Sequence, residues 1–201
     1  MDTTRLSKGI AASAGALAVL ALTACSTATP TGTPGVERLG ATVLRYSGPE
    51  VDAILSYRYA GMNQGEEWLF LDLAVTANKR TAVEIKRDNI SLATPSGDVV
   101  PLATQQEFGQ AYPQLAAALA RADVAAEPID YWPSRTQKPL SFLVIPGSGL
   151  ALESVWVNDL DVATGRLYFD LPNGVQSGHY ELRINLEESK VLIPFRLGGT
   201  G

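Results

Sequence analysis

His179 is the chain's one histidine, so any Ser-His-Asp or Cys-His arrangement must run through it. It stands directly after Ser177-Gly178 and opens the polar side of an alternating stretch, His179/Glu181/Arg183/Asn185, which describes a solvated strand position. Ser148 lies between Gly147 and Gly149, but a nucleophile elbow sets its serine in G-x-S-x-G between a strand and a helix. The flanks here are strand-like, and the stretch predicts a turn. Gly147-x-Gly149 also lacks the third glycine and the helix of a dinucleotide site. Zinc or copper would want several His or Cys ligands. Calcium asks only for oxygen, and Asn158, Asp159 and Asp161 are the candidates for it, although the D-x-D-x-D-G loop has a longer spacing and a distal Glu. Glycoside hydrolysis needs two carboxylates at a set separation, and nothing in the sequence selects a pair; Glu187-Glu188 reads as a solvated turn. The expectation is no catalytic set, no metal and no cofactor.

Cys25 is the only thiol, so no internal disulfide can form and stability must come from a packed core. Arg5 and Lys8 precede an uncharged run, Gly9 to Ala21, which is too short for a membrane span of about 20 residues. The order basic, apolar, small describes a secretory signal over residues 1–24. Leu22-Thr23-Ala24-Cys25 then resembles the lipobox of bacterial lipoproteins. That resemblance implies diacylation of the Cys25 thiol, cleavage before it and frequent acylation of the new amine. In a host with two membranes, Ser26 after the cysteine favours the outer one by the same resemblance. The stretch S-T-A-T-P-T-G-T-P-G that follows has nothing to bury, and residues 25–35 are expected to be a flexible tether.

Recognition chemistry has one further source, a cluster of aromatic residues. Thr104-x-x-Glu107 is a capping box, and Phe108, Tyr112, Leu115, Leu119 and Ala122 follow at helical spacing. This predicts a helical insert at about 104–122, in two pieces or bent, because Pro113 opposes a straight helix. Phe108, Tyr112, Leu115 and Leu119 form one apolar stripe and are expected to pack. Tyr131 and Trp132 lie in a Pro-bounded loop, Pro128 to Pro133, and are the candidate partner-binding residues.

The elements that must carry these residues have a period of two. Val51/Ala53/Leu55/Tyr57/Tyr59, Leu69/Leu71/Leu73/Val75, Val83/Ile85, Ile90/Leu92, Leu140/Phe142/Val144, Val155/Val157 and Leu167/Phe169/Leu171 alternate with polar residues or with a second apolar face. Trp68 and Phe70 supply such a face, which turns polar at Asp72 and Thr76. Pro95-Ser96-Gly97-Asp98 is a turn before a returning strand. Tyr180/Leu182/Ile184/Leu186 and Val191/Ile193/Phe195/Leu197 form the last pair, with Pro194 placing its strand at an edge. Short alternating strands between Gly/Pro/Asn turns predict a mainly β fold, an immunoglobulin-like antiparallel β-sandwich over residues 36–197 with a short helical insert and a tail at 198–201.

The hydrophobic fraction of 46% is that of a globular protein, and the formal net charge is −5. Residues 1–24 carry one net positive charge from Asp2, Arg5 and Lys8, so the mature chain stands at −6. An acidic chain without a Lys/Arg block lacks the footprint of a nucleic-acid binder, and no nucleic acid is expected as a partner. It equally lacks a polybasic patch for anionic lipids, so membrane attachment would rest on the acyl chains.

From Trp68 to Val100, a long apolar strand ending Ala77-Asn78, a strand pair and Ser96-Gly97-Asp98 resemble the telokin-like, immunoglobulin-fold domains of exported bacterial lipoproteins. The whole chain is similar to uncharacterised lipoproteins carrying the same insert, which implies no enzyme class. The functional expectation is a lipid-anchored envelope protein, non-catalytic, that binds or helps assemble another cell-surface component, with an envelope protein as partner. An exported hydrolase acting on sugar or peptide, or a periplasmic chaperone-like domain, is the alternative.

Overall fold

The computed structural model describes residues 35–198. The lipobox with Cys25, the signal segment, nearly all of the tether and the last three residues lie outside them. In chain order the elements are β1 (Val36–Arg38), β2 (Val43–Ser47), β3 (Val51–Ser56), α1 (Arg58–Met62), β4 (Trp68–Ala77), β5 (Val83–Lys86), β6 (Ile90–Ala93), β7 (Val99–Pro101), α2 (Gln105–Ala125), β8 (Thr136–Pro139), β9 (Ser154–Val157), β10 (Asp161–Asp170), β11 (Gly178–Asn185) and β12 (Lys190–Leu197).

Two sheets face each other as a β-sandwich. The larger runs β1-β2-β3-β4-β10-β8, the smaller β12-β11-β6-β7, and β5 with β9 makes a separate two-stranded ribbon. The main core between them is aliphatic: Leu69, Leu71 and Leu73 of β4 and Leu182 of β11 are all 0% exposed. Burying each such side chain stabilises the fold by about 1.5–3 kcal/mol before chain entropy opposes it. Ile85, Val155 and Val157 bring the ribbon into the same core. The Pro95–Asp98 turn joins β6 to β7; Gly97 at φ +92° lets its N–H donate to Thr94 O while Thr94 N donates to Asp98 O.

The centre of the larger sheet is buried on both faces, which explains why β4 is apolar almost throughout. Its outer face is covered by α2 and the segment that follows. Thr104 and Glu107 close the capping box at the start of α2: Glu107 N donates to Thr104 Oγ1 at 3.2 Å and Thr104 N donates to Glu107 Oε2 at 2.7 Å. The helix then continues through Pro113 as one element. Phe108 lies before the proline and Leu115, Leu119 and Ala122 after it, and all four are buried in one cluster with Trp68 and Phe70. Packing on both sides outweighs the local cost of about 3 kcal/mol, so the helix does not divide.

Two other stretches depart from the alternating pattern. Tyr57 and Tyr59 do not extend β3: the chain turns into α1, so Tyr57 stacks inward on Phe195 at 5.1 Å and Tyr59 stacks on Phe70 at 5.5 Å in the outer cluster. Leu140, Phe142 and Val144 are not a strand either. Leu140 N still donates to Thr164 O, but the chain then leaves the ladder. Leu140 and Phe142 stay buried at 3% and 0% because the segment crosses Gly165, where a Cβ would come within 2.6 Å of Leu140 O. The connection from β8 to β10 carries β9 in the separate ribbon, and β8 pairs with β10 in parallel, whereas every other ladder is antiparallel.

Of the four strands at the edges of the two larger sheets, β7, β8 and β12 carry Pro101, Pro139 and Pro194, and β1 is only three residues long. A proline at an edge removes a ladder donor where no partner is needed.

Candidate functional site

The segment after α2 is tied to the outer face of the sheet residue by residue. Glu127 Oε2 accepts from Thr42 Oγ1 at 2.8 Å and Ser56 Oγ at 3.4 Å, and its Oε1 lies 3.6 Å from the Arg58 guanidinium. Ile129 is buried with Val43, Ile54, Ala74 and Val162. Trp132 packs half-buried against the same cluster, with the Arg135 guanidinium 5.8 Å from its ring centre. Arg135 Nη1 in turn donates to Thr76 Oγ1 and, at 3.1 Å, to Ala77 O. The two candidate rings therefore part. Trp132 serves as part of the cover over the sheet, and Tyr131 is left 45% exposed beside it. A tyrosine on a loop fixed from beneath presents a phenol and a ring face at low entropic cost to a partner.

A charged cluster links the second half of α2 to the sheet. Arg166 of β10 donates through Nε to Asp72 Oδ1 of β4 at 2.8 Å and through Nη1 to Asp123 Oδ1 of α2 at 2.7 Å. Tyr168 and Phe70 flank it, ring centres 5.3 Å apart. Both groups are shifted upward, which favours the charged form of Arg166 and disfavours that of Asp72. Burial opposes the charge on Arg166, and Asp72 and Asp123 more than offset it. Burial pushes the Asp72 carboxyl up, and Arg166 only partly offsets that. The desolvation of Asp72 decides the balance, since arginine stays protonated at any working pH. Burial also pushes the Tyr168 phenol up. The triad ties the second half of α2 to the sheet, with the Asp72–Arg166 pair shielded and Asp123 73% exposed at its outer end.

Two of the three calcium candidates are engaged elsewhere. Asn158 Oδ1 accepts from Leu160 N at 2.8 Å in a local turn, and Asp161 Oδ2 accepts from Lys138 Nζ at 2.6 Å. Asp159 N donates to Lys79 O at 3.0 Å, and its Oδ1 is buried without a partner. Among the described residues no group of three or more His, Cys, Asp or Glu is placed to hold a metal ion. Ser148 Oγ donates to Ile145 O at 2.6 Å within its own turn. His179 is exposed on β11, opposite Arg196 of β12.

A cleft of about 550 Å³ opens at the end of the sandwich where β4 leaves for β5 and where β11 turns into β12. Glu50, Lys79, Glu84, Lys86, Glu187 and Glu188 are its charged lining. Glu50 is 7% exposed, and its Oε2 accepts a hydrogen bond from Ser189 Oγ. Lys86 pairs with Glu84 at 3.2 Å. Trp156 of β9 is 53% exposed and opposite Glu84 in the ribbon. Trp156 takes the outward position between Val155 and Val157, which face the core. Glu50 carried no signal, because its burial depends on a turn more than a hundred residues away (|i−j| = 139 to Ser189).

Comparisons of the chain with protein-family models, with curated proteins and with solved structures found no match.

Proposed function

We propose that the chain is a bacterial envelope lipoprotein, held to the membrane by acyl groups on Cys25, whose β-sandwich acts without catalysis as a binding or assembly module for another envelope protein. The resemblance of Leu22-Thr23-Ala24-Cys25 to a lipobox supports the anchor, and that of residues 68–100 to telokin-like exported domains supports the class. In a host with two membranes the outer one is the proposed address. The observation that carries the binding role is Tyr131, 45% exposed on a loop whose neighbours Ile129 and Trp132 are packed on the sheet.

Crosslinking and pull-down from intact envelopes is the test. The native chain is expected to fractionate with membranes and to bring down a defined partner. Cys25→Ala should release it to the soluble fraction, and Tyr131→Ala should weaken capture while leaving the protein folded and anchored. A Cys25→Ala chain that stays in the membrane fraction would remove the anchor. Turnover of a glycan or peptide by the purified domain, lost on one carboxylate substitution, would replace the binding role with hydrolysis.

A further inference from the structure

The ribbon of β5 and β9 has an edge that no proline interrupts. Arg87 N donates to Glu153 O at 2.9 Å, one step beyond the Lys86↔Ser154 pairing and in the same register. Bonded and non-bonded positions alternate along an antiparallel ladder, so Val83 and Ile85 turn their backbone groups toward β9, and Glu84 and Lys86 turn theirs away from it. β5 has no neighbour but β9, and among the described residues no group bonds the N–H or C=O of Glu84 or Lys86. The cleft of about 550 Å³ runs along this edge. Val83, Glu84 and Lys86 line it together with Leu186, Glu187 and Glu188 of the β11–β12 turn, and no residue of β9 does. Unpaired main chain beside a cleft is the arrangement in which an extended peptide adds a strand to a sheet. The side chains of Glu84 and Lys86 stand on one face, paired at 3.2 Å and 27% and 55% exposed, so an incoming strand meets a negative and then a positive position. The turn also selects the occupant. β5 is recessed behind it, and a second copy of the chain would have to bring its own turn into the same space, whereas a single extended segment would not.

We propose that β5 accepts an extended segment of a partner protein as an added antiparallel strand, bonded through the main chain at Glu84 and Lys86, with a lysine of the segment opposite Glu84 and a glutamate opposite Lys86. In antiparallel order the segment reads Glu-x-Lys. The site shares no residue with the Tyr131 loop or with Cys25, so its failure would leave the anchored binding module standing. The probe is the capped peptide Thr-Glu-Val-Lys-Thr, titrated into the purified chain and followed by amide-resolved NMR. The amides of Glu84 and Lys86 are expected to shift and to exchange more slowly, and those of β12 to stay unchanged. N-methylation of the peptide's lysine removes the N–H that faces the Glu84 carbonyl and should weaken binding about tenfold. N-methylation of its valine, whose N–H faces away from β5, should leave binding unaltered. The charge-reversed peptide Thr-Lys-Val-Glu-Thr should bind severalfold weaker. Glu84→Pro deletes a donor that lies outside the ladder and should abolish the shifts, whereas Glu84→Gln, which keeps the N–H, should retain them. The peptide series carries the test even where Glu84→Pro fails to fold. Tyr131→Ala should leave peptide binding unaltered. No shift at either amide at millimolar peptide, or equal binding of the two N-methylated peptides, would overturn the proposal. So would a dimer of the chain that Glu84→Pro dissolves, which would give the edge to a second copy.

Discussion

On its inner face β4 offers Leu69, Leu71, Leu73 and Val75 to the opposite sheet; on its outer face it offers Trp68, Phe70, Asp72, Ala74 and Thr76 to a helix and a loop. The inner contact is aliphatic and continuous across many strands. The outer contact is aromatic near α2, ionic at Asp72 and hydrogen-bonded at Thr76. Non-directional burial tolerates similar residues at each inner position, whereas the outer cover depends on individually placed donors and acceptors. The inner face thus sets the global stability, and the outer face decides whether the helix and the aromatic loop stay seated.

That contrast can be broken most forcefully at Phe108, which is 1% exposed and touches Trp68, Tyr112 and Tyr168. Phe108→Ala is expected to cost about 3–5 kcal/mol in chemical denaturation. If the outer cover opens as a unit, amides of α2 should lose exchange protection before those of β11 and β12. Uniform loss across both sheets would merge the two faces into one cooperative layer. Arg166→Met comes next. It leaves Asp72 buried without its cation, and the expected loss is about 3 kcal/mol, the low end for broken buried pairs, as Asp72 keeps some solvent contact. Trp132→Ala should lose about 2 kcal/mol for a half-buried ring. Tyr131→Ala should stay within about ±0.5 kcal/mol of the parent. Similar losses at both loop positions would mean that Tyr131 also belongs to the cover.

The smallest expected effect sharpens the picture at the start of α2. Burial, then Glu67 and Glu107, push the Asp170 carboxyl above its usual range. A carboxyl raised in the folded state favours folding below its unfolded value, and that contribution is lost as pH rises through the folded value. Asp170→Asn removes the loss. The variant should therefore have a slightly higher urea midpoint than the parent at pH 7, with the gain disappearing as pH falls to about 4. A gain of equal size at both pH values would assign the effect to packing.

Much of this was legible in the sequence. The inward set Tyr180/Leu182/Ile184 and the outward His179 are where a period of two puts them, because β11 is a central strand with one face in the core. The capping box was equally readable, since its partners are three residues apart. Tyr57 and Tyr59 misled because alternation says which residues are apolar but not where the ladder stops. Beyond Ser56 the chain coils into α1, and apolar residues two apart then reach different clusters. Leu140 and Phe142 misled similarly, buried by a crossing at Gly165 that only tertiary structure creates. At the candidate sites, Tyr131 and Trp132 look equivalent in sequence. Arg135 and the Ile129 cluster separate them, and those contacts reach back to β3 and β4.

The prolines at the sheet margins acquire another meaning if Cys25 carries acyl chains. Molecules confined to a membrane plane collide sideways far more often than the same number free in volume. Each collision would bring margin against margin, the geometry in which strands of separate chains zip together. Pro101, Pro139 and Pro194 each interrupt that zipper at its outermost rung, and β1 offers too few rungs to start one. Under that condition the margins of the two larger sheets would let neighbours pass close by without pairing strand to strand.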